Sequence, residues 1–398
     1  MNVQQILGPV IGGAFATSSA TWRWAFYINL PLAGVLTPVY LFVFPSHNPA
    51  PGLTIGSRLR TLDWVGVILN AATYTLFIIG LTFSGARYPW SSSTAIAIWA
   101  VWGACLLAFV LQQAFSIFTT PERRIFPVHL LWTPDYVLLF ISTSCCAVAA
   151  AVSIYYVPLF FAFTRGDGPL QAAVRLLPFI IVFIMFVVIA GATLPMTGRW
   201  SLYYIVGAVF ITAGSAAMFT VRADTSLAKV YAYEALIAVG AGLPFQTAYA
   251  VMTAKVAPKD QANAIGFINV SQIGTTALAL AIASALFQNL GFSFLKDRLS
   301  EYHLDDAFLR SALGGAASAQ LASAPPELVK LTVDTVAYTI ARIFGMVIAA
   351  GALLAVASVF MTRERLDLTG PPALATPDSS QHDAEESGLS EKDLEKAA

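Results

Sequence analysis

The sequence predicts an all-α polytopic membrane protein with about ten transmembrane helices. Three observations predict it. Of the 398 residues, 57% are hydrophobic and only 11% charged, whereas a soluble domain carries about a quarter charged residues. The charges cluster between long uncharged runs, from Met1–Trp22 through Gln261–Leu295 to Ile343–Thr362. About 20 apolar residues suffice to cross the hydrocarbon core as a helix. No run alternates apolar and polar residues as an outer-membrane barrel strand does, so the backbone groups in lipid must be satisfied within helices. This composition excludes a cytosolic enzyme, a nucleic-acid binder and a disordered scaffold. Lysine plus arginine equals aspartate plus glutamate at 22 each, so no net field recruits an anionic partner.

The runs set the spans at 2–17, 24–44, 63–83, 94–115, 136–160, 171–194, 203–220, 231–254, 262–289 and 338–361. The first has no basic residue ahead of its apolar core and holds Gln4, Gln5 and Pro9, unlike a signal peptide. It is expected to start partway along a helix. The chain then divides into 1–44 with two spans, a loop 45–62, two spans in 63–115 and a loop 116–135. Six spans follow in 136–361, with a long connection 290–337 expected to form short amphipathic helices around the Pro325-Pro326 break. The segment 362–398 holds nine acids and four bases with prolines and serines; it is expected to be a disordered acidic tail. Lysines and arginines in short loops favour the side after even-numbered spans as cytoplasmic, by nine to six, which puts the tail in the cytoplasm.

A polar group in hydrocarbon is costly unless it is paired or lines a wet cavity. The candidates for a substrate cavity are Gln4, Asn29, Tyr155, Tyr156, Gln246, Asn269 and Gln272, with Asn70 also inside a span. Asn269 and Gln272 share one helical face, with Gly266 a further turn back, as suits a cavity wall. Gln112 and Gln113 read as helix–helix hydrogen-bonding groups. Glu234 has two readings: a residue at the membrane edge, or a titrating carboxylate that carries a proton. Arg175 and Arg342 read as snorkelling side chains. Cys105, Cys145 and Cys146 lie in apolar stretches with no metal-binding spacing.

There is no G-x-x-x-x-G-K-[ST], so no ATP-binding loop drives the protein. H-E-x-x-H is absent, Gly240-Ala241-Gly242 has no strand before it, and Arg165-Gly166-Asp167 sits in a short interhelical turn where its adhesion-motif spelling reads as chance. Neither catalysis nor a cofactor is indicated.

Leu7-Gly8-Pro9-Val10-Ile11-Gly12-Gly13 puts a proline and closely spaced glycines in one helix. Proline removes a backbone hydrogen bond, and the Gly8/Gly12 spacing permits close approach of another backbone. Trp22-Arg23-Trp24 through Tyr27-Ile28-Asn29-Leu30-Pro31 carries interfacial aromatics. In Leu62-Asp63-Trp64-Val65-Gly66, Asp63 is placed to cap a helix and Gly66 to allow close packing.

These three motifs, in this order and spacing, resemble the major facilitator superfamily, specifically its fourteen-span drug:proton antiporter branch. The stretches around Leu170–Pro178 and Gly240–Gln246 agree, and the run from Phe163 to Pro178 looks most like filamentous-fungal toxin and multidrug efflux members. The resemblance implies that Gly8, Pro9, Gly12 and Gly13 are the antiporter motif of the family's fifth span. It implies that the helices present are spans five to fourteen, with the first four missing. By the same token 1–44 is the remnant of an N-terminal bundle, 63–115 two extra central spans and 136–361 the C-terminal bundle. The implied activity is proton-coupled efflux of an amphiphilic small molecule, without nucleotide or nucleic acid. The implied location is a lipid bilayer, the plasma membrane first and a vacuolar or vesicular one second. A second reading stays beside it: a chain lacking four spans that acts only with a partner, or not at all.

Overall fold

Sixteen described helices and a few short 3-10 turns make up this computed structural model, which describes residues 2–19, 21–44, 54–85, 87–314 and 324–366. Among the described residues there is no strand, only an isolated bridge between Ser84 and Tyr88.

The first half contains α1 (Asn2–Thr17), a short α2 (Trp24–Tyr27), α3 (Asn29–Phe42), α4 (Ile55–Arg60), α5 (Trp64–Phe83) and α6 (Ser93–Phe115). Helix α5 starts where sequence chemistry says it should: the Asp63 side chain accepts from Gly66 N–H, satisfying a free donor of the first turn. Ser92 caps α6 in the same way through Ala95 N–H. Helices α5 and α6 pack on each other as a central hairpin, and α5 also meets α14.

The second half contains α7 (Pro134–Arg165), α8 (Pro169–Arg175), α9 (Leu177–Thr197), α10 (Trp200–Phe219), α11 (Leu227–Phe245), α12 (Thr247–Lys255), α13 (Gln261–Asn269), α14 (Thr275–Arg298), α15 (Asp306–Gly314) and α16 (Pro326–Phe360). The main core lies here, where α10 packs against α11 and α16, and α7 against α16. Small residues permit this closeness: a Cβ on Gly207 would sit 2.7 Å from the Gly240 carbonyl oxygen.

Nine stretches among the described residues are long and apolar enough to cross a membrane; helix α1, at 16 residues, is shorter than the rest. Four of the nine are interrupted, the first of them at Ile28 between α2 and α3. Pro178 follows the break between α8 and α9, and Pro244 precedes the break at Gln246 between α11 and α12. A π-helical turn, Val270–Gly274, joins α13 to α14.

Two expectations are corrected. The connection 290–337 is largely an extension of its flanking spans: α14 runs on to Arg298 and α16 starts at Pro326. Proline at a first helical turn lacks only a donor that has no partner there anyway, so the proline pair starts a helix rather than breaking one. Within it only α15 matches the expected short helix, burying Leu309, Ala312 and Leu313, and residues 315–323 lie outside the described residues. The segment from 362 also begins ordered. Thr362 donates to Asp135, Arg365 to the Thr197 carbonyl and Leu366 N–H to the Gly198 carbonyl at 3.0 Å. Donors there find the Asp135 carboxylate in the first turn of α7 and carbonyls left free at the C-terminal end of α9. The tail expectation for 367–398, like the centre of the loop 45–62, falls outside the described residues.

Charged side chains gather at two ends of the molecule. Asp135, Lys255, Asp260, His129 and the chain at 362–366 gather at one end, with Lys255 Nζ 2.8 Å from Asp135 Oδ2. At the other end Arg175 pairs with Asp167 and donates to Tyr231 Oη at 3.3 Å, while Arg165 holds the Thr225 carbonyl.

Candidate functional site

The interruptions in α11–α12 and α13–α14 face each other. Pro244 has no N–H to give the Gly240 carbonyl, which weakens the ladder just ahead of the break at Gln246. Gln272 then reaches over from the π-turn and donates its Nε2 to the Phe245 carbonyl at 3.1 Å. One turn past the break, Tyr249 Oη donates to Asn269 Oδ1 at 2.7 Å and lies 3.1 Å from Gln272 Oε1. On the far side of the π-turn, Ser271 donates to the Phe140 carbonyl at 2.6 Å and meets Ser144 at 3.0 Å, which Thr275 also approaches. Irregular backbone at membrane depth survives only where protein or a wet cavity satisfies it, and here side chains of neighbouring helices do so.

Three of the sequence candidates therefore share one place. Asn269 and Gln272 are joined through Tyr249, and Gln246 sits at the break itself, part-buried, its side chain making no hydrogen bond to a described residue. Others lie elsewhere. Tyr156 is buried in the core against Phe287, whereas its neighbour Tyr155 is 56% exposed, so successive positions on α7 cannot form one wall. Both are about 16 Å along α7 from Ser144, from the helical rise. Asn29 is exposed and donates to the Phe26 carbonyl of the preceding α2. Gln4 belongs to α1, but its side chain, like that of Pro9, is outside the described residues.

Glu234 faces the protein interior. It is fully buried in α11, and neither carboxyl oxygen has a hydrogen-bond partner among the described residues. It lies one turn beyond Tyr231, the hydroxyl held by Arg175. It stands on the same interrupted span as the break at Gln246, about 18 Å away by the helical rise. Arg175 does not merely snorkel: beyond Asp167 and Tyr231 it lies over the Phe161 ring, 5.1 Å from its centroid. Arg342 sits between the rings of Phe219 and Tyr338 at 4.2 and 4.4 Å.

Asp63 forms a second polar knot. Its carboxylate, 3% exposed, accepts from Gly66 N–H, from Gln112 Nε2 at 3.0 Å and from Gln113 Nε2 at 2.8 Å. Gln113 Oε1 in turn accepts from Phe126 N–H at 2.9 Å. A Cβ at Gly66 would fall on the Asp63 carboxylate and within 2.6 Å of Gln113 Nε2, so the glycine makes room for the knot. The two glutamines are thus the interhelical groups that their positions predicted.

In the glycine motif of α1, the close approach is made by Gly13. A Cβ there would lie 2.9 Å from both Leu170 Cα and the Pro169 carbonyl oxygen of α8, whereas Gly8 and Gly12 have nothing within 4 Å. The expected Gly8/Gly12 contact is therefore displaced by one residue, because α1 meets α8 near its own C-terminal end. Among the described residues no three metal-ligating side chains cluster, and all three cysteines are free.

Residues 1–279, which reach into α14, match the family model described as Major Facilitator Superfamily. The chain belongs to the major facilitator superfamily. It is 41% identical over 362 residues to the efflux pump patC of Aspergillus clavatus, an alignment covering 90% of this chain and 66% of that protein. It is 40% identical to the MFS-type transporter patC of Penicillium expansum, with the same coverage. The efflux pump alnA of Emericella nidulans is 36% identical over 364 residues, covering 91% of this chain and 66% of the relative. The chain thus spans about two thirds of the length of these relatives. It is a multi-pass membrane protein of this superfamily.

Tyr249 is the site residue that sequence reasoning missed. A signal was present: a proline inside a span, followed by Gln246 and Tyr249 at one-turn spacing on the same face.

Proposed function

We propose that this chain exports an amphiphilic organic small molecule by secondary-active transport coupled to proton entry, from the plasma membrane. The observation that carries this reading is the pairing of two devices on one interrupted span. At the break, Gln246 is an unpaired amide beside the Tyr249–Asn269–Gln272 cluster, offering donors and acceptors to an uncharged polar group of a substrate. About 18 Å along the same span, Glu234 is a buried carboxyl without a partner among the described residues. An ionised carboxylate in such a place requires water or a counter-charge, so gaining or losing a proton there changes which conformation is favoured. The similarity to proteins named efflux pumps supports the direction of transport. The Gly13 contact with α8, free of intervening side chains, is a pivot on which helices of the two halves rock.

Inside-out vesicles from cells expressing the chain test this with a panel of fluorescent amphiphiles that includes rhodamine 6G. Accumulation that a protonophore abolishes is the expected result. Accumulation indifferent to the proton gradient overturns the coupling.

One observation favours a second reading, in which the chain acts with a partner. No residue of α3 is buried, and among the described residues its extensive contacts are with α2 alone. Further spans from another polypeptide would cover it. Co-expression with the segment of patC that this chain does not match decides between them: transport only on co-expression supports the partner reading.

A further inference from the structure

A cavity of about 260 Å3 lies between the central hairpin and the penultimate span, on the side of α13–α14 away from Gln272. Gln272 faces the α11–α12 break, whereas Val270 and Leu278 face α5 and α6 across this cavity. Its walls are aromatic and aliphatic: Phe77, Phe109 and Phe126 with Leu106 and Leu278. Four polar side chains interrupt them, of which Thr73 spends its hydroxyl on the Leu69 carbonyl at 2.8 Å. Asn70 and Tyr74 make no side-chain hydrogen bond to any described residue, and the Trp102 indole Nε1 is buried with no partner. Native interiors rarely leave a buried donor such as this indole N–H unpaired. None of the lining residues is charged.

The surrounding structure holds the cavity open rather than filling it. Gly274 in the π-turn leaves room for the Tyr74 hydroxyl, which a Cβ would strike. Phe126 is fixed at one end by the Gln113–Asp63 knot through its backbone N–H and by ring contacts with Phe140 and Phe267. Trp102 is packed against Phe77 and Trp99, with ring centroids 5.4 and 5.5 Å away.

We infer that this cavity is a second binding site, for a neutral apolar molecule that carries a hydrogen-bond acceptor such as a carbonyl or ester oxygen. The indole N–H donates only, and the phenol and the amide can each donate as well, so an acceptor on the ligand meets up to three donors. The absence of any charged wall excludes an ionised ligand, for which no counter-charge would offset desolvation. The aromatic walls hold the apolar body. This chemistry belongs equally to the ester region of a bilayer lipid and to a free ketone or lactone. Because the cavity adjoins the π-turn whose other face carries Asn269 and Gln272, occupancy bears directly on that segment.

Benzophenone is the probe: neutral, apolar, a carbonyl acceptor and photoreactive. The purified full chain in detergent is irradiated with it, and labelled peptides are mapped by mass spectrometry. Labelling concentrated in 70–77, 102–109 and 270–278 is expected. Leu106→Trp, which fills the cavity, should cut it about tenfold, the equivalent of one decade in affinity. Leu107→Trp, at a neighbouring exposed position, should leave it intact, as should detergent-stability controls. Asn70→Leu, which changes no volume greatly, should weaken labelling independently of any packing defect. Adding phosphatidylcholine separates the sources: labelling that it suppresses makes the native ligand a lipid, and labelling that persists makes it a free molecule. Benzophenone spread evenly over lipid-facing helices and unchanged by Leu106→Trp overturns the inference.

Discussion

Gln113 Nε2 donates to Asp63 Oδ2 at 2.8 Å across the two helices of the central hairpin. The same amide spends its other donor on Gln112 and its oxygen on Phe126 N–H, so one side chain ties α5, α6 and the following loop together. Replacing Gln113 by leucine leaves a buried carboxylate oxygen short of a partner. The expected loss is about 1–3 kcal/mol, read as a lower thermal midpoint in detergent. Leu107→Ala, at an exposed position of the same helix, should shift the midpoint far less.

Gly13 and its motif neighbours should respond differently to a methyl group. Gly13→Ala sets a Cβ against the backbone of Leu170 and costs about 1–3 kcal/mol of overpacking. Gly8→Ala and Gly12→Ala meet nothing within 4 Å, and should be neutral or stabilising by a few tenths to about 1 kcal/mol through helix propensity. Thermal stability of the three variants side by side checks this, and equal losses at all three positions would contradict it.

Tyr249 and Gln272 should be energetically coupled. A double-mutant cycle with Tyr249→Phe and Gln272→Leu is expected to give an interaction energy of about 0.5–3 kcal/mol, because each single change strands a group of the other. The pairing of Tyr249→Phe with the distant Tyr155→Phe should be additive.

Residues 362–366 should behave as part of the folded domain. A chain ending at Leu366 is expected to keep the full thermal midpoint. One ending at Met361 loses the contacts of Thr362 to Asp135, Glu364 to Lys255 and Leu366 to Gly198. It should be less stable by about 1–3 kcal/mol, the sum of a few partly exposed hydrogen bonds. Equal midpoints would mean that the latch holds nothing.

The spans were legible because ionised side chains are excluded from lipid, and that rule needs no knowledge of tertiary packing. Asp63 with Gly66 was legible because capping is local. Glu234 was not: its position near the start of a span fits an edge residue equally well, and only the packing of α7, α9 and α10 around α11 buries it. The displaced glycine contact has the same origin, since the sequence marks a smooth helix face but not where the neighbour crosses it. Tyr155 and Tyr156 stood side by side in the sequence, yet one helical step turns them to different surroundings. The cavity at Asn70 and Trp102 is a long-range product of two helices brought against a third.

Glu234→Gln tests the central claim most directly. Reconstituted into liposomes, the variant is measured in two modes with a transported dye from the vesicle panel: exchange across the membrane without a gradient, and net transport driven by an imposed pH difference. The account predicts exchange within about twofold of the parent, and gradient-driven transport reduced at least about tenfold, the equivalent of roughly 1.4 kcal/mol on the rate. Gradient-driven transport that survives the substitution would contradict it.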